Sequence, residues 1–241
     1  MKLIWIITKR ELQSFFDSLI AYVMLIIFLG FSGFFTWLYG ADVFLVGQAS
    51  LQSFFGIAYW TLFFFIPAIT MKLIAEEKKT GTIEWLLTKP VTDRQIVIGK
   101  FLATVLLIFI ALIFTLPYII TLSKLGNLDQ GGVLGGYLAL ILMSGAYAAI
   151  GIFASSITNN QIVAFLLALF IGLFFHIIFD VLANNFTGVI GDILNFLSLS
   201  VHFDGVSRGV IDTKDIIYFL SIIVGGLYLA EMSLVKRNIE N

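Results

Sequence analysis

Apolar residues in this chain come in long unbroken runs, without the alternation or helical period of an element that turns one face to water. Leu19 to Tyr39 carries no charge at all. At about 1.5 Å per residue it is long enough to cross a hydrocarbon core of roughly 30 Å. Similar runs predict spans over Phe54 to Leu73, Ile96 to Leu122, Val133 to Ser156, Asn160 to Leu182 and Asp215 to Val235, six in all. Ahead of the first, Lys2 to Phe16 mixes Leu3, Ile4, Ile7, Leu12, Phe15 and Phe16 with Lys9, Arg10, Glu11 and Gln13, which is the pattern of a helix lying in the membrane interface. No small-residue cleavage site stands at signal-peptide distance, so this segment is expected to be retained.

Two polar interruptions break the apolar pattern. Ala75 to Gly99 is the most charged stretch in the chain and must lie in water. Gly81 interrupts the helix continuing from the second span, Thr82 is placed to cap a short helix with Glu84 in its first turn, and Pro90 stops it. Thr92 and Gln95 then have the spacing of a capping box that starts the third span. The second interruption, Ala183 to Thr213, is too long for a turn and mixes Phe186, Ile190, Ile193, Leu194, Phe196 and Leu197 with Asp192 and Asn195. It reads as amphipathic helix lying at, or dipping into, the outer membrane surface. With no internal repeat and no low-complexity stretch, residues 1–241 read as a single transmembrane domain, with an interfacial helix over 1–17, a cytoplasmic element over 76–90 and an outer element over 183–213.

Composition agrees with lipid as the solvent: 60% of residues are hydrophobic and 12% charged, against about 25% charged in a soluble domain. A formal net charge of −1 gives no basis for a nucleic-acid partner. The absence of cysteine excludes disulfides, thiolate metal sites and cysteine nucleophiles. A cytoplasmic amino terminus puts Lys2, Lys9, Arg10, Lys72, Lys78, Lys79, Lys89, Arg94, Lys100, Lys236 and Arg237 inside, eleven of the fourteen basic residues. Only Lys124, Arg208 and Lys214 then fall outside. The positive-inside rule therefore predicts both termini in the cytoplasm.

Candidate chemistry is sparse. Gly99 and Lys100 lack the upstream glycine and following Ser or Thr of a phosphate-binding loop, so any ATP hydrolysis is expected on another chain. The middles of all six spans lack Asp, Glu, Lys and Arg, which argues against an ion-coupled carrier. His176 and Asp180 stand four residues apart, too few donors for a metal site, and are expected to form an interfacial hydrogen bond. His202 and Asp204 in the outer loop call for the same reading. Ser144 beside Gly145 lacks the sequence context of an intramembrane serine nucleophile. Gly132, Gly136, Ser144 and Ala148, within a run of small residues that also holds Gly131, Gly135, Gly151 and Ser155, are expected to serve close helix packing. No catalytic residue, metal site or bound cofactor is expected.

Glu76, Gly81, Thr82, Glu84, Leu86, Leu87, Pro90, Gly99 and Lys100 together give E-x(4)-GT-x-E-x-LL-x(2)-P-x(8)-GK. That pattern resembles permease subunits of the ABC-2 class of ABC exporters. KRELQSFFDSLIAYV, NNQIVAFLLALF and HFDGVSRGVIDTKDIIYFLS are similar to the GldF-type permeases associated with bacterial gliding motility, so the resemblance runs over essentially the whole chain. Leu19 departs from relatives that place Pro after the Ser at the bend before the first span. The resemblance implies six spans, a coupling helix between the second and third, and a membrane-dipping outer element between the fifth and sixth. It also implies a bacterial inner-membrane location, a GldA-like ABC ATPase partner holding the ATP and Mg, and a GldG-like membrane subunit or a second copy of the chain. Glu76, Glu77, Gly81, Thr82, Glu84, Leu86, Leu87 and Pro90 would form the ATPase contact, with Ile83, Trp85, Leu86 and Leu87 filling a groove and the carboxylates facing basic residues. Two other readings stand beside it: a membrane anchor that transmits force without transporting anything, and a carrier working without ATP.

Overall fold

The computed structural model describes residues 2–39, 47, 49–82 and 91–240, the side chains of 236–240 excepted. Among the described residues the fold is all helical, with 86% helix and no strand. α1 (Lys2–Asp17) precedes α2 (Ile20–Trp37), the first span; α3 (Gln52–Lys79) is the second. α4 (Asp93–Ile113) and α5 (Leu116–Leu125) together make the third, α6 (Gln130–Ile157) the fourth. α7 (Gln161–Leu173), a π turn (Phe174–Ile178) and α8 (Phe179–Ala183) make the fifth. α9 (Val189–Leu197) and α10 (Leu199–Ser207) form a hairpin bent by 69°, and α11 (Thr213–Glu240) contains the sixth span. Among the described residues six helices are thus long and apolar enough to cross a membrane.

α6 is the axis of the bundle: 78% of its most apolar window is buried, against 28% for the first span, 22% for the fifth and 17% for the sixth. Small residues explain this position, because Ala139, Ser144, Ala146, Ala148, Ala149, Gly151, Ala154 and Ser155 let neighbouring backbones come near on every side. α3 and α11 make its most extensive contacts. The outer spans turn Ile26, Phe31, Phe64, Phe109, Leu166, Phe170 and Val224 outward, an arrangement that is stable only where the surroundings are apolar too.

Local chemistry sets the boundaries. The bend between α1 and α2 is made by Leu19, whose φ of 59° puts a non-glycine residue in the left-handed region at a cost of roughly 1–2 kcal/mol. Ser18 helps to close it, its hydroxyl donating to Phe15 O at 3.3 Å. The expected capping box is present: Thr92 Oγ1 accepts from Gln95 N at 3.3 Å and Gln95 Oε1 from Thr92 N at 3.3 Å. The third span breaks at Phe114 and Thr115, three residues short of a regular continuation past Pro117, which stands in the first turn of α5 and has no N–H to offer the preceding turn. α3 continues past the apolar span's expected end at Leu73, as the interruption expected at Gly81 implies. It runs on without interruption to Lys79, so Glu76 and Glu77 stand on the same helix as the apolar span.

Candidate functional site

Charged side chains from three helices meet at the end of the bundle that holds α1. The face α1 turns inward is Ile7, Thr8, Glu11 and Phe15, residues that fall on one helical stripe. It packs on the start of α4. The approach is close because Gly99 has no side chain: a Cβ there would stand 2.7 Å from Ile7 Cγ2 and 3.3 Å from Ile4 O. Thr8 Oγ1 lies 2.9 Å from Ile4 O and 3.2 Å from Gly99 O, sharing its proton between its own helix and α4.

Lys100, next in the chain, is fully buried. Its Nζ donates to Glu77 Oε1 at 2.8 Å and stands 3.3 Å from Glu11 Oε1. Arg10 Nη2 lies 2.5 Å from Glu11 Oε1 and 3.5 Å from Glu77 Oε1. Two cations face two carboxylates, the balance that a dry site requires. α1, α3 and α4 are thereby fastened on both sides of the polar segment that joins the second span to the third. A further tie runs from Lys72 Nζ to Ser18 Oγ at 3.1 Å, with the ammonium 5.5 Å above the Phe15 ring. Beside the cluster, between α1 and the end of α3, is a polar cavity of about 470 Å³ lined in part by Arg10, Ser14, Glu76, Thr80 and Thr82.

Burial alone pushes the Glu11 carboxyl up, but the Lys100 ammonium and the Arg10 guanidinium outweigh it and hold the group below its usual range. A carboxylate whose folded value is depressed contributes stability above its unfolded value, near the usual 4.5. That contribution is complete at neutral pH and is lost as the pH falls through the folded value.

Of the residues expected at the coupling element, Glu77 belongs to the cluster, and Glu76 is on the adjoining turn. Gly81 has φ +71°, the left-handed conformation that ends a helix. Thr82 Oγ1 stands 2.9 Å from Thr80 Oγ1 and donates to Glu77 O at 3.4 Å. Glu84, Leu86, Leu87 and Pro90 lie outside the described residues. Glu77 Oε2 is buried with no hydrogen-bond partner among the described residues. Sequence reasoning missed the roles of Arg10, Glu11 and Lys100. The available signal was the stripe on α1: Glu11 falls in line with Ile7 and Phe15, where an interfacial helix would place an apolar residue.

Among the packing residues, Gly136 is covered by the Phe55 ring of α3, and Ser144 and Ala148 are buried. Gly132 differs, its nearest neighbour being Asp129, the N-cap of its own helix, at 2.7 Å from an added Cβ. His176 also departs from expectation. It is buried, stacked between Tyr59 and Phe63 with ring centroids 4.1 and 4.4 Å away, and its Nδ1 pairs with Tyr147 Oη at 2.5 Å instead of with Asp180. His202 turns from Asp204 to Asp215, with Nδ1 2.6 Å from Oδ1 and Nε2 2.9 Å from Phe196 O. No group of three or more metal-ligating side chains occurs among the described residues.

A family model described as ABC-2 family transporter protein matches residues 5–233, nearly the whole chain. No curated protein matches the sequence.

Proposed function

Since the chain belongs to the ABC-2 transporter family, as a multi-pass membrane permease that works with an ABC ATPase, we propose that it couples to that ATPase through the segment from Glu76 to Pro90. The observation that carries this reading is the continuity of α3. One helix runs from the apolar span to Lys79 and is locked through Glu77 to α1 and α4. A push on its polar end is therefore shared with α1 and the start of α4, and reaches the second span through the same helix. Glu76, Gly81, Thr82, Glu84, Leu86, Leu87 and Pro90 form the contact in this proposal. ATP and Mg belong to the partner, and both termini of the permease lie in the cytoplasm of a bacterial inner membrane. The motif resemblance supports an exporter-type, GldF-like role in gliding motility or secretion, with a GldA-like ATPase and with a GldG-like subunit or a second copy of the chain completing the assembly.

Gly81→Trp tests this directly. The mutation forces a bulky side chain into the left-handed region and redirects the segment that follows. In a purified complex the variant should insert normally and lower stimulation of the ATPase by about tenfold, within the usual range for coupling between sites. Normal stimulation, or recovery of the chain with outer-surface partners and without an ATPase, would overturn the proposal and favour a non-transporting anchor.

A further inference from the structure

α6 reaches into the backbone of α3 at one place, just before the charged cluster. Ser155, fully buried in the last turn of α6, accepts hydrogen bonds through Oγ from Ile74 N at 3.1 Å and Ala75 N at 2.9 Å. The same hydroxyl donates to Met71 O at 2.9 Å. In a regular helix Met71 O is the acceptor for Ala75 N. The hydroxyl thus stands within the α3 ladder, satisfying both the donor and the acceptor of one rung. Insertion of a side chain into that ladder is a recognised cause of helix bending.

The surroundings weaken the same stretch and hold the inserted group in register. Pro67, one turn earlier inside α3, brings no N–H to the ladder. Thr70 turns its hydroxyl back to Ile66 O at 2.9 Å and to Pro67 O at 3.3 Å, a habit that bends helices. Thr70 Oγ1 fills the place where a Gly151 Cβ would stand, so Gly151 and Ser155, one turn apart on α6, seat Thr70 and the Ile74–Ala75 amides in turn. Past the contact, Lys78 Nζ donates to Ser156 O, and Ser233 Oγ of α11 donates to the same carbonyl at 2.9 Å. The end of α6 is thereby held between α3 and α11.

We propose that Ser155 is the positioning residue of a pivot in α3 at Met71–Ala75, about which the segment carrying Glu76 and Glu77 swings relative to the membrane-embedded part of the helix. This rests on the coupling role proposed above. A pivot inside a buried helix would ordinarily strand amides and carbonyls as the rung opens. A hydroxyl that accepts from two amides and donates to the carbonyl keeps them partnered through the movement. Ser155 was legible in the sequence only as one more small residue of the fourth span.

Ser155→Ala, compared with Ser155→Thr and with Ser156→Ala as a control, provides the test in the full chain in lipid nanodiscs. The control removes a hydroxyl whose bond among the described residues is to Phe153 O of its own helix. Amide hydrogen exchange at Ile74 and Ala75 should rise by about fivefold in Ser155→Ala, as expected for loss of a single hydrogen bond, and should stay at the wild-type level in Ser156→Ala. Stimulation of the co-purified ATPase should fall at least as much in Ser155→Ala and return in Ser155→Thr, which restores the hydroxyl. Unchanged exchange would overturn the placement of the hydroxyl in the ladder. Raised exchange with unchanged stimulation would overturn the pivot and leave a purely structural contact. Should the wild-type chain itself fail to stimulate the ATPase, the coupling reading falls and takes the pivot with it, an outcome distinct from both.

Discussion

Lys100→Met should lower the stability of the folded chain by about 3–5 kcal/mol, the cost of leaving buried carboxylates without their cation. Lys100 is wholly enclosed, and Glu11 and Glu77 are only 11% and 20% exposed, so little water reaches them to replace the lost ammonium. Arg10 stays 2.5 Å from Glu11, but it is half exposed and 3.5 Å from Glu77, too distant to replace the ammonium there. Thermal or denaturant unfolding in detergent reads the change. The triple variant Glu11→Gln, Glu77→Gln, Lys100→Met removes all the enclosed charge and should regain most of the stability, because a buried ion pair is commonly no better than its neutral replacement. ATPase stimulation should remain depressed in the triple variant, since the fastening of α3 to α1 and α4 is still missing. Recovery of both would mean that the cluster is only a packing device.

Gly135→Val should displace the α9–α10 pair from α6, at a cost near 3 kcal/mol, the upper end of ordinary overpacking. At this position the neighbours are main chain: an added Cβ would collide with Val206 O and stand 2.8 Å from Gly209 Cα and 2.9 Å from Gly209 N. A backbone cannot turn aside as a flexible side chain can. Gly209, at φ +84°, is itself packed on main chain, where an added Cβ would stand 2.7 Å from Gly131 C. Limited proteolysis after α10 should become faster in this variant, whereas Gly132→Val, which meets the Asp129 side chain, should leave it nearly unchanged. Equal effects of the two would contradict the assignment of Gly135 to the hairpin contact.

The spans were legible because lipid removes the ambiguity of amphipathic patterns: a helix without charge for some twenty residues has only one solvent available. The Thr92–Gln95 capping box was legible because it is local and both partners are named by spacing. What escaped was long-range. Nothing in the order of residues says that Lys100 meets Glu11, or that His202 chooses Asp215 over Asp204, since those pairings are fixed by how whole helices pack. His176 was assigned to Asp180 by helical spacing, but its partner is Tyr147 on the fourth span. Leu19 illustrates the converse. Its departure from proline put the bend before the first span in question, and a left-handed leucine makes that bend here. Of the candidate coupling element, Glu77 proved most informative, because the helix that holds it continues farther than hydropathy alone indicated.

The most direct test of the coupling account is a photo-crosslinking residue placed at Thr82 in the assembled complex within native membranes. The account predicts ATP-sensitive crosslinks from that position to the ABC ATPase and protection from membrane-impermeant labels added on the outer side. Labelling from the outer side, or a fully assembled complex in which Thr82 never crosslinks to a nucleotide-binding chain, would contradict it.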